Sequence, residues 1–319
     1  MEKDSRIYVA GHTGLLGSAI VRALSRRGYR NIITTARLDF DLTDPEKVNC
    51  LFDLHKPEYV FMAAAKVGSI AENIKFPVEF LNENVLIQKN VFEAARIFKI
   101  KKLLFFSSNC CYPRECPQPM REEHLMSGPL EPTNEAYAIA KIAGMKLCQS
   151  YNAQYGTKFY SLVLASLYGL NDHFGTARAH VVADMICKFY QAKQGGIHEL
   201  IFWGNGSPLR EFMYVDDAAD AAIFLMDSLN SSSEDNMAGR MFLNVGTGEE
   251  ISIVDLARMI VGAVGYGGKI NWDISKPNGM PRKLLDSSKF YVLGWRPKTS
   301  LEEGIMKTYR WYLENRRLN

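Results

Sequence analysis

Tyr137 stands four residues before Lys141 in "EAYAIAK". On a helix that spacing puts both side chains on one face. A phenol there can give a proton to a carbonyl oxygen, and a neighbouring ammonium lowers its pKa from about 10. The same ammonium can hold a nicotinamide ribose. Upstream, the apolar run "LLFF" ends in Ser107–Ser108, and the Ser108 hydroxyl can share the carbonyl oxygen with Tyr137. The next residues are "NCCYP". By residue type alone Cys110 and Cys111 fit core filler, half of a metal site, a disulfide precursor or a working thiol. No C-x-x-C spacing occurs and the histidines lie apart from this cluster, which disfavours structural zinc.

A second set of residues suits a dinucleotide. "YVAGHTGLLGSAI" places Gly11, Gly14 and Gly17 where a first strand gives way to a first helix. Such glycines allow a tight turn and let a pyrophosphate approach the helix N-terminus, where free N–H groups and the dipole favour anions. The end of the second strand selects the cofactor: an acid there binds the 2′-hydroxyl of NAD, a base the 2′-phosphate of NADP. Here it reads "TTARLDFD", so Arg37 points to NADP(H), with Asp41 and Leu42 bordering the adenine.

The elements needed to position these residues are legible. Strand-like runs at 6–11, 31–36, 58–64, 102–108 and 158–166 alternate with helix-like runs at 15–28, 44–56, 77–100 and about 136–155. Asp44 and Pro45 form a helix start. Repeated β-α-β with apolar strands predicts an α/β fold, a Rossmann-type doubly wound parallel sheet with helices on both faces. After about residue 170 the pattern loosens, with helices expected near Asp216 and Ile253. The layout expected is a nucleotide-binding domain over 1–169 and a smaller mixed substrate domain over 170–319, with some segments returning to the first. The polar "DSLNSSSEDNMAGR", 227–240, reads as an exposed loop.

Composition bounds the function. The chain has 319 residues, 47% of them apolar, which supports a sizeable core. A net charge of +3 with no basic block or acidic tail points away from nucleic acid and membrane surfaces and suits an anionic small ligand. No signal-like segment or long apolar run is seen, so the six cysteines read as reduced thiols and the expected location is cytoplasmic.

Ser108, Tyr137 and Lys141 together form the set found in short-chain dehydrogenase/reductases. The blocks "AGHTGLLGSAI", "AAAKVGSI", "LLFFSSNCCYP", "LEPTNEAYAIAKIAGMKLCQSYNAQYG", "FWGNGSPLREFMYVDD", "NVGTG" and "SKPNGMPRKLLD" resemble the GDP-L-fucose synthase family almost end to end. The resemblance implies an NADPH-dependent enzyme that epimerises C3 and C5 of GDP-4-keto-6-deoxy-D-mannose and then reduces C4, working as a homodimer. It implies that Cys110 and His180 are the acid/base pair for epimerisation, because inversion needs a base and an acid on opposite sides of the ring. Cys111 is then core filler, turned away by strand alternation. Around the cofactor the resemblance places Gly11, Gly14, Leu15, Leu16, Gly17, Arg37, Asp41, Leu42, Ala64, Lys141 and His180. Around the substrate it places Lys188, Trp203, Arg210 and Lys283, with Arg210 and Lys283 on the GDP phosphates. Asp216 and Asp217 are expected to cap their helix. Thr13, Asn109, Ser166, Lys188 and Asn278 depart from the family pattern. Because these changes gather at substrate contacts, related GDP-4-keto-deoxy sugars, of the colitose or deoxyheptose kind, are also expected candidates. A non-catalytic NADP-binding regulator is a further alternative, disfavoured by the retention of Tyr137 and Lys141.

Overall fold

A computed structural model describes residues 1–176, 178–228 and 242–315. Strands β1 (Arg6–Ala10), β2 (Asn31–Ile33), β3 (Tyr59–Met62), β4 (Lys102–Ser108) and β5 (Phe159–Leu164) alternate with helices α1 (Leu15–Arg26), α2 (Pro45–His55), α3 (Ile70–Lys75), α4 (Pro77–Ile97) and α5 (Glu135–Tyr155). Then come β6 (Ser166–Tyr168), α6 (Val181–Gly195), β7 (Glu199–Trp203), β8 (Leu209–Arg210), β9 (Phe212–Tyr214) and α7 (Val215–Ser228). The remaining elements are β10 (Leu243–Val245), β11 (Ile251–Ser252), α8 (Ile253–Val264), β12 (Lys269–Asp273), β13 (Arg282–Lys283), α9 (Ser288–Tyr291) and α10 (Leu301–Asn315).

The main sheet runs β10-β5-β4-β3-β1-β2 and is parallel throughout. Its strands β3 and β5 are buried along their whole length because helices cover both faces: α4 packs along α5, and α1 along α7. Strand order reverses between β1 and β3, so a crevice opens at their carboxyl ends. Local chemistry sets the helix boundaries. Asp44 caps α2 by accepting from the N–H of Glu46 at 2.9 Å, with Pro45 in the first turn. Gly156 ends α5 in the left-handed region at φ 65°.

The expected strand at 31–36 pairs only over Asn31–Ile33, because β2 is the sheet edge and the chain turns away beyond Ile33. The expected strand at 158–166 divides at Ala165. Ala165 N–H bonds Val245 O in the main sheet, whereas Ser166 N–H bonds Glu211 O and starts β6. The chain thus passes from one layer system into the next. A second core, containing Phe174, Ile186, Phe189, Ile260, Ile305 and Tyr312, joins α6, α8 and α10. Later segments, α7, β10 and α9, rejoin the first core.

Asp216 and Asp217 do not cap α7. Asp216 takes Arg22 Nη2 at 2.7 Å, and Asp217 accepts from the N–H groups of Lys298 and Thr299, so both tie distant segments to the helix start. The expected loop at 227–240 lies, beyond Ser228, outside the described residues.

Candidate active site

A cleft of about 1250 Å³ runs from the carboxyl ends of β1–β4 to the second core. At one end, Gly11 has φ +80°, and a Cβ there would stand 2.7 Å from Ala64 N. A Cβ on Gly17 would overlap Gly11 O. Both positions therefore require glycine, and the loop closes against the end of β3. Gly14 caps α1 with no side-chain hydrogen bond, and the first i→i−4 bond runs from Ser18 to Gly14 O. The N–H groups of Leu15, Leu16 and Gly17 thus have no carbonyl within the helix and point toward an anion site. This cradle fits the pyrophosphate of a dinucleotide. Asp41, Leu42 and Arg37 line the same end of the cleft, Arg37 with 72% of its side chain exposed.

In the middle, β4 ends at Ser108, whose Oγ accepts from Cys110 N–H at 3.3 Å. Residues Asn109–Cys111 form a 3-10 turn instead of continuing the strand. That turn, not strand alternation, separates the two thiols. Cys110 enters the cleft, while Cys111 is fully buried with its Sγ 3.2 Å from Ser107 Oγ. Burial pushes the Cys111 thiol up to about 11. Burial also raises Cys110, but the Lys283 ammonium, the Ser108 hydrogen bond and the Arg210 charge outweigh it and leave that thiol below its ordinary value. Lys283 Nζ and Asn134 Nδ2 each donate to Cys110 Sγ at 3.2 Å. The site thus favours a thiolate at Cys110 and a neutral thiol at Cys111.

Tyr137 and Lys141 share the inner face of α5. Lys141 Nζ is buried, donates to Phe106 O at 2.9 Å and lies 5.7 Å from the Tyr137 ring centre. Burial lowers its pKa to about 8. The expected lowering of the Tyr137 phenol does not occur. Burial, then the nearby Cys110 charge, pushes it well above its ordinary value. Desolvation dominates, so the Tyr137 phenol is held neutral and can act as a proton donor.

His180 forms the N-cap of α6. Its Nδ1 meets Asp172 Oδ1 at 2.8 Å, and that oxygen also accepts from His173 N–H at 2.8 Å. Asp172 Oδ2 is buried without a partner. Burial lowers the imidazole pKa, but the Asp172 bond and charge, with Cys110, leave it raised above its ordinary value. Nδ1 faces the carboxylate, leaving Nε2 for chemistry in the cleft.

Ser108, Cys110, Tyr137, Lys141 and His180 all line the one cleft, as do Trp203, Arg210 and Lys283. Trp203 is half exposed, and Arg210 Nη1 donates to Leu209 O at 2.8 Å. Lys188 is not among the lining residues. It pairs with Asp184 at 2.7 Å, one turn back along α6, and its ammonium lies over Phe202. The sequence reading missed Asn134 and Asp172, which have no motif of their own, and assigned Lys283 to phosphates without its bond to Cys110.

The model of the NAD dependent epimerase/dehydratase family matches residues 7–245. The chain belongs to this family. Within the NAD dependent epimerase/dehydratase family it is 48% identical to "Putative GDP-L-fucose synthase 2" of Arabidopsis thaliana, over 99% of this chain and 94% of that one. It is 43% identical to "GDP-L-fucose synthase" of Escherichia coli (strain K12), over 97% of each. Among solved structures, a GDP-6-OMe-4-keto-L-xylo-heptose reductase from C. jejuni superposes with a TM-score of 0.94 at 34% identity, covering 99% of both chains. A GDP-L-fucose synthetase from Naegleria fowleri bound to NADP superposes at 0.89 and 30% identity, covering 99% of this chain and 96% of that one.

Proposed function

We propose that this protein is an NADPH-dependent epimerase/reductase that converts GDP-4-keto-6-deoxy-D-mannose to GDP-L-fucose. The observation that carries this reading is the Cys110 thiol, 3.2 Å from Lys283 Nζ, in the same cleft as Tyr137, Ser108 and His180. A ketone at C4 acidifies the protons on C3 and C5. The Cys110 thiolate takes such a proton, while Tyr137 and Ser108 hydrogen-bond the enolate oxygen. His180, charged against Asp172, returns a proton to the opposite face. Lys283 balances the thiolate before the proton moves. After inversion, bound NADPH supplies the two electrons and the hydrogen that reduce C4. Tyr137 gives its phenolic proton to the C4 oxygen, and Lys141 sits where it can steady the resulting phenolate. Arg210 and Trp203 take the GDP moiety.

Identity of 43–48% to proteins named GDP-L-fucose synthase supports this substrate. The TM-score of 0.94 to the heptose reductase favours a second reading, C4 reduction without epimerisation. Incubation with GDP-4-keto-6-deoxy-D-mannose and NADPH in D₂O separates the two. The first reading requires NADPH oxidation and an L-configured product deuterated at C3 and C5 by NMR. Oxidation with a D-configured, undeuterated product supports the second, and no oxidation rejects the first.

We also propose a homodimer working in the cytoplasm. Leu86 and Ile97 on α4 and Ile139 on α5 are 42%, 48% and 43% exposed, an apolar face on two helices that pack together. Sedimentation that gives a monomer at micromolar concentration rejects the dimer.

A further inference from the structure

Glu83 belongs to α4, outside the glycine loop and the Ser108–Tyr137–Lys141 set. Its carboxylate nevertheless enters the adenosine end of the cleft. Oε1 accepts from Lys66 Nζ at 2.8 Å, and Oε2 lies 3.5 Å from Arg37 Nη2. On the other side of the guanidinium, Asp41 Oδ2 lies 3.6 Å from Arg37 Nε. Asp41 is kept ionised, because its Oδ1 accepts both the N–H and the hydroxyl of Thr43 at 2.9 and 2.8 Å. All four side chains line the cleft. The cluster therefore sets two cations against two carboxylates, and Thr13 on the glycine loop adds no charge.

Both gaps to Arg37 exceed hydrogen-bond length. The carboxylates offset its charge without fixing its direction, and the side chain stays 72% exposed. We propose that Glu83 is a specificity-determining residue that restrains this site's preference for a 2′-phosphorylated cofactor by neutralising Arg37 and Lys66. The inference rests on the reading that Arg37 receives the 2′-phosphate. A 2′-phosphate has to draw Arg37 away from Glu83 and then sit beside that negative charge. A plain 2′-hydroxyl meets no such repulsion and can donate to a carboxylate.

Titration calorimetry of NADP⁺ and NAD⁺ tests this on the wild type, Glu83→Gln and Arg37→Ala. Glutamine keeps an oxygen for Lys66 and removes the charge. NADP⁺ is expected to bind Glu83→Gln about three- to tenfold more tightly, NAD⁺ no more tightly than before, and the gain should shrink at high salt. Arg37→Ala should weaken NADP⁺ far more than NAD⁺. If it does, and Glu83→Gln leaves the ratio of the two dissociation constants within about twofold or weakens NADP⁺, Glu83 has no restraining role while Arg37 keeps its place. If Arg37→Ala weakens both cofactors alike, the placement and the proposal fall together. Glu83→Ala, expected to shift the ratio in the same direction, replaces Glu83→Gln should that variant lose its cooperative melt.

Discussion

Cys110 and Cys111 are chain neighbours in opposite surroundings, and those surroundings assign the proposed base to Cys110. Cys110 faces an ammonium and an amide at 3.2 Å, whereas Cys111 faces the Ser107 hydroxyl in a closed core. Cys110→Ser replaces an ionisable thiol with a hydroxyl that scarcely ionises near neutrality. It should stop deuterium exchange into C3 and C5 of the substrate, measured in D₂O with NADP⁺ and no reductant, while Tyr137 and Ser108 still support reduction. Cys111→Ser should keep exchange and lose stability, by burying a hydroxyl. Persistent exchange in the first variant, or lost exchange in the second, would put the base elsewhere. Lys283 supplies a second test at this scale. Its charge lowers the Cys110 pKa, and exchange needs the thiolate, so the rate rises as pH passes that pKa. Lys283→Met should move this acidic limb to higher pH. An unmoved limb with a poorer KM would return Lys283 to the phosphate role that its sequence context suggests.

At the scale of elements, α5 carries its chemistry at a cost in stability. Lys141 is buried with its ammonium on the Phe106 carbonyl, and its pKa falls to about 8 from 10.5. A lysine lowered on folding destabilises the protein fully below the folded value, and the penalty vanishes as pH rises past the unfolded one. Lys141→Met should therefore be more stable than wild type by about 3 kcal/mol at pH 7, with the difference shrinking from pH 8 upward. Urea midpoints across that range measure it, and a constant difference would mean that folding does not shift the Lys141 pKa. The Tyr137–Lys141 pair was legible because helix periodicity fixes it, and so was the glycine loop, where a Cβ at Gly11 or Gly17 has no room. The sequence did not show that Asn109–Cys111 would coil into a 3-10 turn, nor that β5 would end at Leu164. The strand end depends on Val245 and Glu211, far along the chain, and the turn on the Ser108 side chain that caps it. Asp172 was equally hidden: only the fold brings it 2.8 Å from His180. Lys188 instead pairs with Asp184, one turn back on α6.

Across the whole molecule, the proposed site requires that Lys283 and Arg210, on the small β11-β8-β13 sheet, be held against residues set by the main sheet. Glu211 makes that connection. It is fully buried, and its Oε1 accepts from the N–H groups of Thr247 at 2.6 Å and Gly248 at 2.8 Å. Its Oε2 accepts from Leu285 N–H at 3.0 Å, and its own N–H bonds Lys283 O at 3.1 Å. One side chain thus fastens β13, beside β8, to the turn that follows β10 of the main sheet. Burial raises its carboxyl pKa, although the three amides oppose the rise. Glu211→Gln keeps the shape but turns an NH₂ donor toward either Leu285 N–H or the Thr247–Gly248 pair, so at least one buried donor loses its acceptor. The expected cost is about 2–3 kcal/mol in urea unfolding. Because Lys283 moves with β13, deuterium exchange should fall more than NADPH oxidation does. A variant with wild-type stability, or with exchange and reduction reduced in equal measure, would show that Lys283 is held in place by something other than Glu211.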